Sequence, residues 1–442
     1  MKCLEFRGLS LILRGALLCS LAAFAAGCSD SKSASGSSGG SGNAGGGASS
    51  GGSTGTGGAT GDTTSHTYDH ADPGIVYSGR ILFADGKAPR FSAPAVTISA
   101  RFKGVSAAMT VSYPSGGSNY FDAVIDDDYT KAKKITPQDA EQTELFSDLP
   151  YGEHKITVIK RTEANTGQVD FESFTFGGEI LPPPERPARK IEIIGDSISA
   201  GSGDEGADGT ATCPSDTRPY SNASKAYGPV LARALDAEYQ VTAVSGIGVT
   251  RNYNCKDLGT MPKVYDRVFL ESASSPTWDP ASFVPDAVVM LLGTNDFSPG
   301  EPVNCHQIAL SEEVDPQNYA LFISSLEDFI GVVRGYYPDA EIFLAASPML
   351  HDGWPDATFT SNTSQRAAIV TVAEELNAKD TGPAKIHTLL AEYSKTKIVG
   401  RGCGTHPNAY EHGIMAGVDA SRPTDPVPAT LFLDPIKEVM GW

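Results

Sequence analysis

The sequence predicts two folded parts in series, an all-β jelly roll or sandwich and then an α/β domain built on a parallel sheet. Three observations carry that expectation. From about Val76 to Leu181 short alternating runs are separated by turn residues, and no long amphipathic helix interrupts them. Pro182-Pro183-Pro184 then forms a stiff connector through which no strand can continue. Beyond it, runs rich in Val, Ile and Leu alternate with helical patterns, as strands buried on both faces do.

The elements follow in chain order. Lys2, Arg7 and Arg14 precede an apolar stretch, Gly15 to Ala26, that is short for a membrane span and reads as a targeting segment over residues 1–27. It ends in Ala25-Ala26-Gly27-Cys28, which resembles a bacterial lipobox and implies lipidation of Cys28. Residues 28–64 are almost wholly Gly, Ser, Thr and Ala, a composition that builds no core. Such a tether reaches about 30–35 Å in the root-mean-square sense. The β domain is expected over 65–184, with strands near Ala95–Phe102, Ala108–Ser112, Tyr120–Ile125, His154–Arg161 and Phe171–Phe176. Asp126-Asp127-Asp128 is read there as a hairpin tip in preference to a calcium site. The α/β domain is expected over 185–442, with strands at Lys190–Ile194, Gln240–Val244, Ala287–Leu292, Glu341–Ala346 and Lys385–Leu390. Helices are placed at Ala226–Asp236, Pro316–Gly335, Ser364–Ala378 and Pro435–Met440.

Lys and Arg number 34 against 53 Asp and Glu, a formal net charge of −19, which disfavours nucleic acid and anionic membrane surfaces as partners. A neutral substrate fits better, and the expected link to a membrane is the lipid anchor alone, on the envelope of a bacterial cell. Of seven cysteines, Cys213, Cys255, Cys305 and Cys403 fall in the α/β region. An even number in an exported chain favours disulfides, and the lack of a short Cys-x-x-Cys spacing disfavours zinc. Three pairings are possible. Cys213–Cys255 with Cys305–Cys403 is preferred, because each residue lies on a segment beside one of the motifs described next.

Four short motifs carry the chemistry. Gly195-Asp196-Ser197 ends the run Ile191-Glu192-Ile193-Ile194, so a serine surfaces where a buried strand turns toward a helix. Ser245-Gly246, Gly293-Thr294-Asn295-Asp296 and His406-Pro407-Asn408 follow. Ester hydrolysis needs a nucleophile, a base and donors for the developing oxyanion. Ser197 supplies the first and His406 the second. The backbone N–H groups of Ser197 and Gly246, with the Asn295 side-chain amide, supply the third; Gly248 is the alternative to Gly246. Ser197, Gly246 and Asn295 each follow a predicted strand, and ligands of open parallel sheets bind beyond the carboxyl ends of strands. Among eight histidines, His406 is preferred because Pro407-Asn408 follow it late in the α/β region.

Together these blocks resemble the SGNH (GDSL-type) hydrolases over most of residues 188–442. Lys160-Arg161-Thr162-Glu163, Arg189-Lys190-Ile191-Glu192, Tyr227-Gly228, Val249-Thr250-Arg251-Asn252-Tyr253 and Met440-Gly441-Trp442 extend the resemblance to carbohydrate esterase family 2. That resemblance implies a jelly-roll domain ahead of a three-layer SGNH domain, and removal of acetyl groups from plant-type polysaccharides without a cofactor. A monomer is expected. SGNH enzymes usually place an aspartate three residues before the histidine, where this chain has Cys403. A Ser197–His406 dyad oriented by a backbone carbonyl is therefore expected, with Asp352 the alternative third member. The aromatic residue common before that histidine is also missing, which leaves Trp354 as a candidate stacking platform for sugar. Two rival readings are an SGNH esterase or lipase of other acyl specificity and a non-catalytic carbohydrate-binding lipoprotein. An ordinary α/β-hydrolase is disfavoured, since no Gly-x-Ser-x-Gly elbow follows any predicted strand.

Overall fold

The computed structural model describes residues 61–206, 213–257, 259–300, 308–379, 382–390, 398–418 and 431–442. The targeting segment, Cys28, most of the tether and Cys305 lie outside the described residues. Ala59–Trp442 make one compact unit.

Its first part is an antiparallel sheet of ten strands running from Ser65–Asp69 to Val169–Ile180. The two strands expected at Ala95–Phe102 and Ala108–Ser112 are one strand of 16 residues, Thr97–Ser112. The polar break between them, which reads as a turn, is a bend through Gly104. There the partner strand shifts register between Phe176 and Gly178, and a Cβ on Gly104 would lie 2.2 Å from the Gly177 carbonyl oxygen. Extra bend and twist at such a bulge let one long strand serve a curved sheet. Asp126, Asp127 and Asp128 form the tip of a hairpin. Asp126 accepts from the Lys155 N–H at 2.9 Å, Asp127 pairs with the Lys155 ammonium, and Asp128 caps the turn at Thr130.

The second part carries a five-stranded parallel sheet. Across it the strands run Ala237–Ala243, Arg189–Gly195, Ala287–Leu291, Glu341–Ala345 and Ile386–Leu389. The sheet order is thus second, first, third, fourth, fifth, which puts a switch of direction beside Arg189–Gly195. Every residue of Ala237–Ala243 and Ala287–Leu291 is buried, as expected of strands covered on both faces. Pro316–Tyr336 is a helix that begins at the Asp315 cap, which accepts from the Asn318 N–H, and buries Tyr319, Phe322, Leu326, Phe329, Ile330 and Val333 along one stripe. The helix expected at Ser364–Ala378 begins earlier, spanning Ser361–Lys379. Its first turn buries Ser361, whose hydroxyl donates to the Phe297 carbonyl at 2.8 Å, so its inward face is polar and apolar periodicity does not reveal it.

The parts share a core. Ala95, Val124 and Ile159 of the antiparallel domain pack into the apolar cluster of the parallel domain. Arg80 of the first part is fully buried in the joint and stacks over Tyr265 and Trp278 of the second. Its guanidinium donates to the carbonyls of Tyr265 at 2.5 Å and Arg267 at 2.8 Å, and faces Glu192 at 3.4 Å. Glu192, itself 0% exposed, also accepts from Gln240, Thr242 and Tyr265. Removing one member of such a pair leaves a charge stranded in low dielectric. Arg80→Ala is expected to destabilise the protein by about 3–5 kcal/mol, read as a lower urea midpoint with the unfolding slope unchanged; an unaltered midpoint contradicts this account of the joint.

Candidate active site

Gly195 ends the strand that Ser197 follows, and Ser197 is 7% exposed. The turn is locked: the Asp196 carboxyl accepts from the Ile198 N–H at 3.0 Å, and Ser199 Oγ bonds the Tyr227 hydroxyl at 2.8 Å. Ser197 Oγ lies 2.7 Å from His406 Nε2. The other ring nitrogen, Nδ1, lies 2.8 Å from the carbonyl oxygen of Cys403. A carbonyl can only accept, so the proton sits on Nδ1 and Nε2 is free to accept from the serine hydroxyl. Burial holds the imidazole below the ordinary histidine pKa, opposed by its bonds to the 403–404 backbone and by the charge of Glu163.

A dyad oriented by a backbone carbonyl was expected, and the carbonyl that makes the orienting bond is that of Cys403. Its backbone is pinned three ways. Cys403 N–H donates to the Gly203 carbonyl at 2.9 Å, and its sulfur is bonded to Cys213, 190 residues earlier, with Cα atoms 5.4 Å apart. At Gly203 (φ 62°) a Cβ would approach the Cys403 Cβ to 2.4 Å, so the two loops can close only on a glycine. The third restraint is Glu411, fully buried, which accepts from the N–H groups of Val399, Gly400, Arg401 and Asn408.

The Cys213–Cys403 bond corrects the pairing expected from sequence, Cys213–Cys255 with Cys305–Cys403. Nearness to a motif along the chain did not predict partners, because the histidine loop returns across the fold onto the turn after Ser197. Cys255 is disulfide-bonded as well; Cys305 and His306 lie outside the described residues.

Gly246 sits at φ 82° after the strand Ala237–Ala243, a conformation that favours glycine. Among the described residues, neither its N–H nor that of Ser197 donates to a protein acceptor. The Gly248 N–H, by contrast, donates to Asn252 Oδ1 at 3.0 Å, which removes it as the alternative donor. Asn295 lies in the short helix Thr294–Phe297 after the third strand; its Nδ2 donates to the Ile247 carbonyl at 2.7 Å, leaving a second hydrogen for another acceptor. Asp296, which sequence reasoning left without a role, clamps the loop beyond Gly246. Its carboxylate accepts from the N–H groups of Val249, Thr250 and Arg251 and from the Thr250 hydroxyl. The signal was available as the adjacency of Asp296 to Asn295, but the partners are distant in sequence.

Ser197, Gly246, Asn295 and His406 line one cleft of about 450 Å³, whose wall includes Met349, Leu350, His351 and Trp354. Trp354 is 61% exposed at its mouth. Asp352, the alternative acid, is turned away and accepts from Thr363 N–H and Oγ1. Of the other described histidines His351 shares the cleft wall, whereas His154 bonds Asp126, His387 bonds Glu341, and buried His412 accepts from the Tyr227 N–H.

Residues 193–413 match the GDSL-like Lipase/Acylhydrolase family, and residues 77–184 match the carbohydrate esterase 2 N-terminal domain. The cellulase/esterase CelE of Acetivibrio thermocellus is 32% identical over 355 residues, covering 80% of this chain; the chain spans 39% of the length of that relative. An acetylxylan esterase / glucomannan deacetylase of Cellvibrio japonicus is 29% identical over 80% of this chain and 89% of its own. A solved family two carbohydrate esterase from Clostridium thermocellum, in complex with cellohexaose, superposes with a TM-score of 0.68 at 29% identity, over 84% of this chain and 100% of the other. With the antiparallel domain set before a parallel-sheet domain whose strand ends bring a serine and a histidine together, the chain belongs to the GDSL-like lipase/acylhydrolase family and has the two-domain make-up of the family 2 carbohydrate esterases.

Proposed function

We propose that this protein is a serine esterase that removes O-acetyl groups from xylan- or glucomannan-type polysaccharides, working as a monomer through a Ser197–His406 dyad. The observation that carries the reading is the 2.7 Å approach of Ser197 Oγ to a ring nitrogen whose partner nitrogen is tied to a carbonyl. His406 Nε2 takes the hydroxyl proton as Oγ attacks the acetyl carbonyl carbon. The negative charge that builds on the former carbonyl oxygen is met by the N–H groups of Ser197 and Gly246 and by the free hydrogen of Asn295 Nδ2. Collapse expels the sugar alkoxide, which recovers the proton from His406. Water, activated by the same nitrogen, then releases acetate from Ser197.

A neutral carbonyl stabilises imidazolium less than a carboxylate does, but it fixes the same tautomer and ring plane. Trp354 at the cleft mouth offers a flat apolar face for a pyranose ring. Two curated relatives with acetylxylan or esterase names and the family 2 structures support the carbohydrate assignment. We further propose that Cys28 is lipidated and that the tether holds the catalytic head off a bacterial envelope membrane.

Ser197→Ala is expected to lower kcat/KM on p-nitrophenyl acetate by about 10⁴-fold or more, and Asn295→Ala by about 10²–10³-fold. Because burial lowers the His406 pKa and the base must be neutral, the acid limb of kcat/KM is expected below pH 6.5; a limb above that value contradicts the assignment. On acetylated xylan and glucomannan, NMR of the products is expected to show acetate release, weaker in Trp354→Ala through a raised KM, with octanoyl esters poor substrates; equal octanoyl turnover would mark a lipase instead. Metabolic labelling with radioactive palmitate is expected to mark the wild type and not Cys28→Ala, and an unlabelled wild type refutes the anchor.

A further inference from the structure

Lys160-Arg161-Thr162-Glu163 belongs to the antiparallel domain and supplies no reacting group above, yet each of its side chains is committed, Arg161 and Glu163 across the joint and Lys160 and Thr162 behind them. Lys160 is fully buried, and its ammonium donates to the carbonyls of Thr162 at 2.7 Å and Glu163 at 2.8 Å. Thr162 Oγ1 donates to Asn119 Oδ1 at 2.6 Å. Arg161 pairs with Asp122 at 2.8 Å in its own domain and with Glu205 across the joint, while its carbonyl accepts from the Ala223 N–H at 2.9 Å. The turn so held projects Glu163, 7% exposed, onto the parallel domain, where its carboxylate accepts from the hydroxyl of Ser245. Ser245 directly precedes Gly246 and lines the same cleft as Ser197 and His406.

We propose that Glu163 is a positioning residue of the active site, supplied by the antiparallel domain: it holds the Ser245–Gly246 turn and sets a negative charge toward His406 that the missing aspartate would otherwise provide. The proposal rests on the esterase reading above. A turn that carries an oxyanion donor gains from a second fixed point, since a small displacement of a catalytic donor costs rate steeply. A buried anion near the imidazole favours the imidazolium formed as Ser197 attacks, and the Cys403 carbonyl favours it only weakly. The charge of Glu163 does act on His406 in the sense required, raising its affinity for a proton against burial.

Among the described residues, charged and titratable groups from both domains act on the pair. Lys160 lies beneath Glu163, pushed down to about 7 by burial. Glu271 faces it from the parallel domain beside Lys256, pushed up to about 7 by burial and then by Glu163 itself. His412, whose charge would act on His406, is pushed down to about 3 by burial and is neutral in the working range.

The test compares wild type, Glu163→Gln and Ser245→Ala on p-nitrophenyl acetate from pH 4.5 to 9, with thermal melts as a check of folding. Wild-type turnover abolished in Ser197→Ala establishes the esterase reading independently of these variants. Glu163→Gln keeps an acceptor for Ser245 but loses the charge. It is expected to lower kcat by about 10-fold with KM little changed, and to move the acid limb of kcat/KM to lower pH by about half a unit, since removing an anion destabilises imidazolium. Ser245→Ala keeps the charge and loses the tie; it is expected to lower kcat by about 3–10-fold and leave the acid limb in place. Wild-type kcat in Ser245→Ala overturns the positioning role, and this variant serves even where Glu163→Gln does not fold. A fall in kcat in Glu163→Gln with an unmoved acid limb overturns the electrostatic role and leaves Glu163 a part of the joint alone.

Discussion

The single bond from His406 Nδ1–H to the carbonyl oxygen of Cys403, 2.8 Å long, decides what the rest of the site can do. It places the ring proton on the nitrogen away from Ser197 and turns the free lone pair toward the hydroxyl. A backbone carbonyl performs this task only if the backbone that bears it is immobile. Much of the surrounding structure serves that end: a disulfide to Cys213, a hydrogen bond to Gly203, and a buried carboxylate, Glu411, gathering four N–H groups of the same loop. Where an aspartate brings its own charge and can adjust by rotation, a carbonyl brings neither, and rigidity of the loop takes the place of both.

The opposite wall of the cleft is organised by the parallel sheet. Register brings Gly195 level with Ala243 on one side and Leu291 on the other, so the segments that follow three adjacent strands emerge together. Ser197, Gly246 and Asn295 each stand a few residues past those ends. Asp296 then ties the segment after the first donor loop to the helix bearing the second, through hydrogen bonds from Val249, Thr250 and Arg251. The proposed oxyanion donors Gly246 and Asn295 are thereby held relative to each other before any substrate arrives, which is the condition under which dipoles stabilise charge without reorganising.

The antiparallel domain is joined to this machinery by charge as well as by apolar packing. Arg80 reaches Glu192 on a strand of the parallel sheet, and Glu163 reaches Ser245 at the cleft. The first is buried and the second partly so, and both lose their value if either domain shifts, so they specify one docking geometry where an apolar seam alone would tolerate sliding. In this arrangement the first domain bears on the shape of the cleft even though Ser197 and His406 both come from the second.

Residue type and order by themselves determined the strand-and-helix alternation, the serine at a strand end, the amide and glycine loops and the histidine late in the chain. These are local statements, because a buried strand, a turn glycine and a helix cap each depend on neighbours within a few positions. The long bent strand Thr97–Ser112 escaped that reading, since Gly104 resembles a turn until Gly177 lies opposite it. The cysteine pairing, the identity of the carbonyl that orients His406, the exclusion of Gly248 and the placement of Glu163 were decided only by tertiary structure. Each is a contact between segments far apart in the chain, and nothing in the composition of either segment encodes the distance to its partner; that distance exists only once the sheet register and the domain joint have brought the two together.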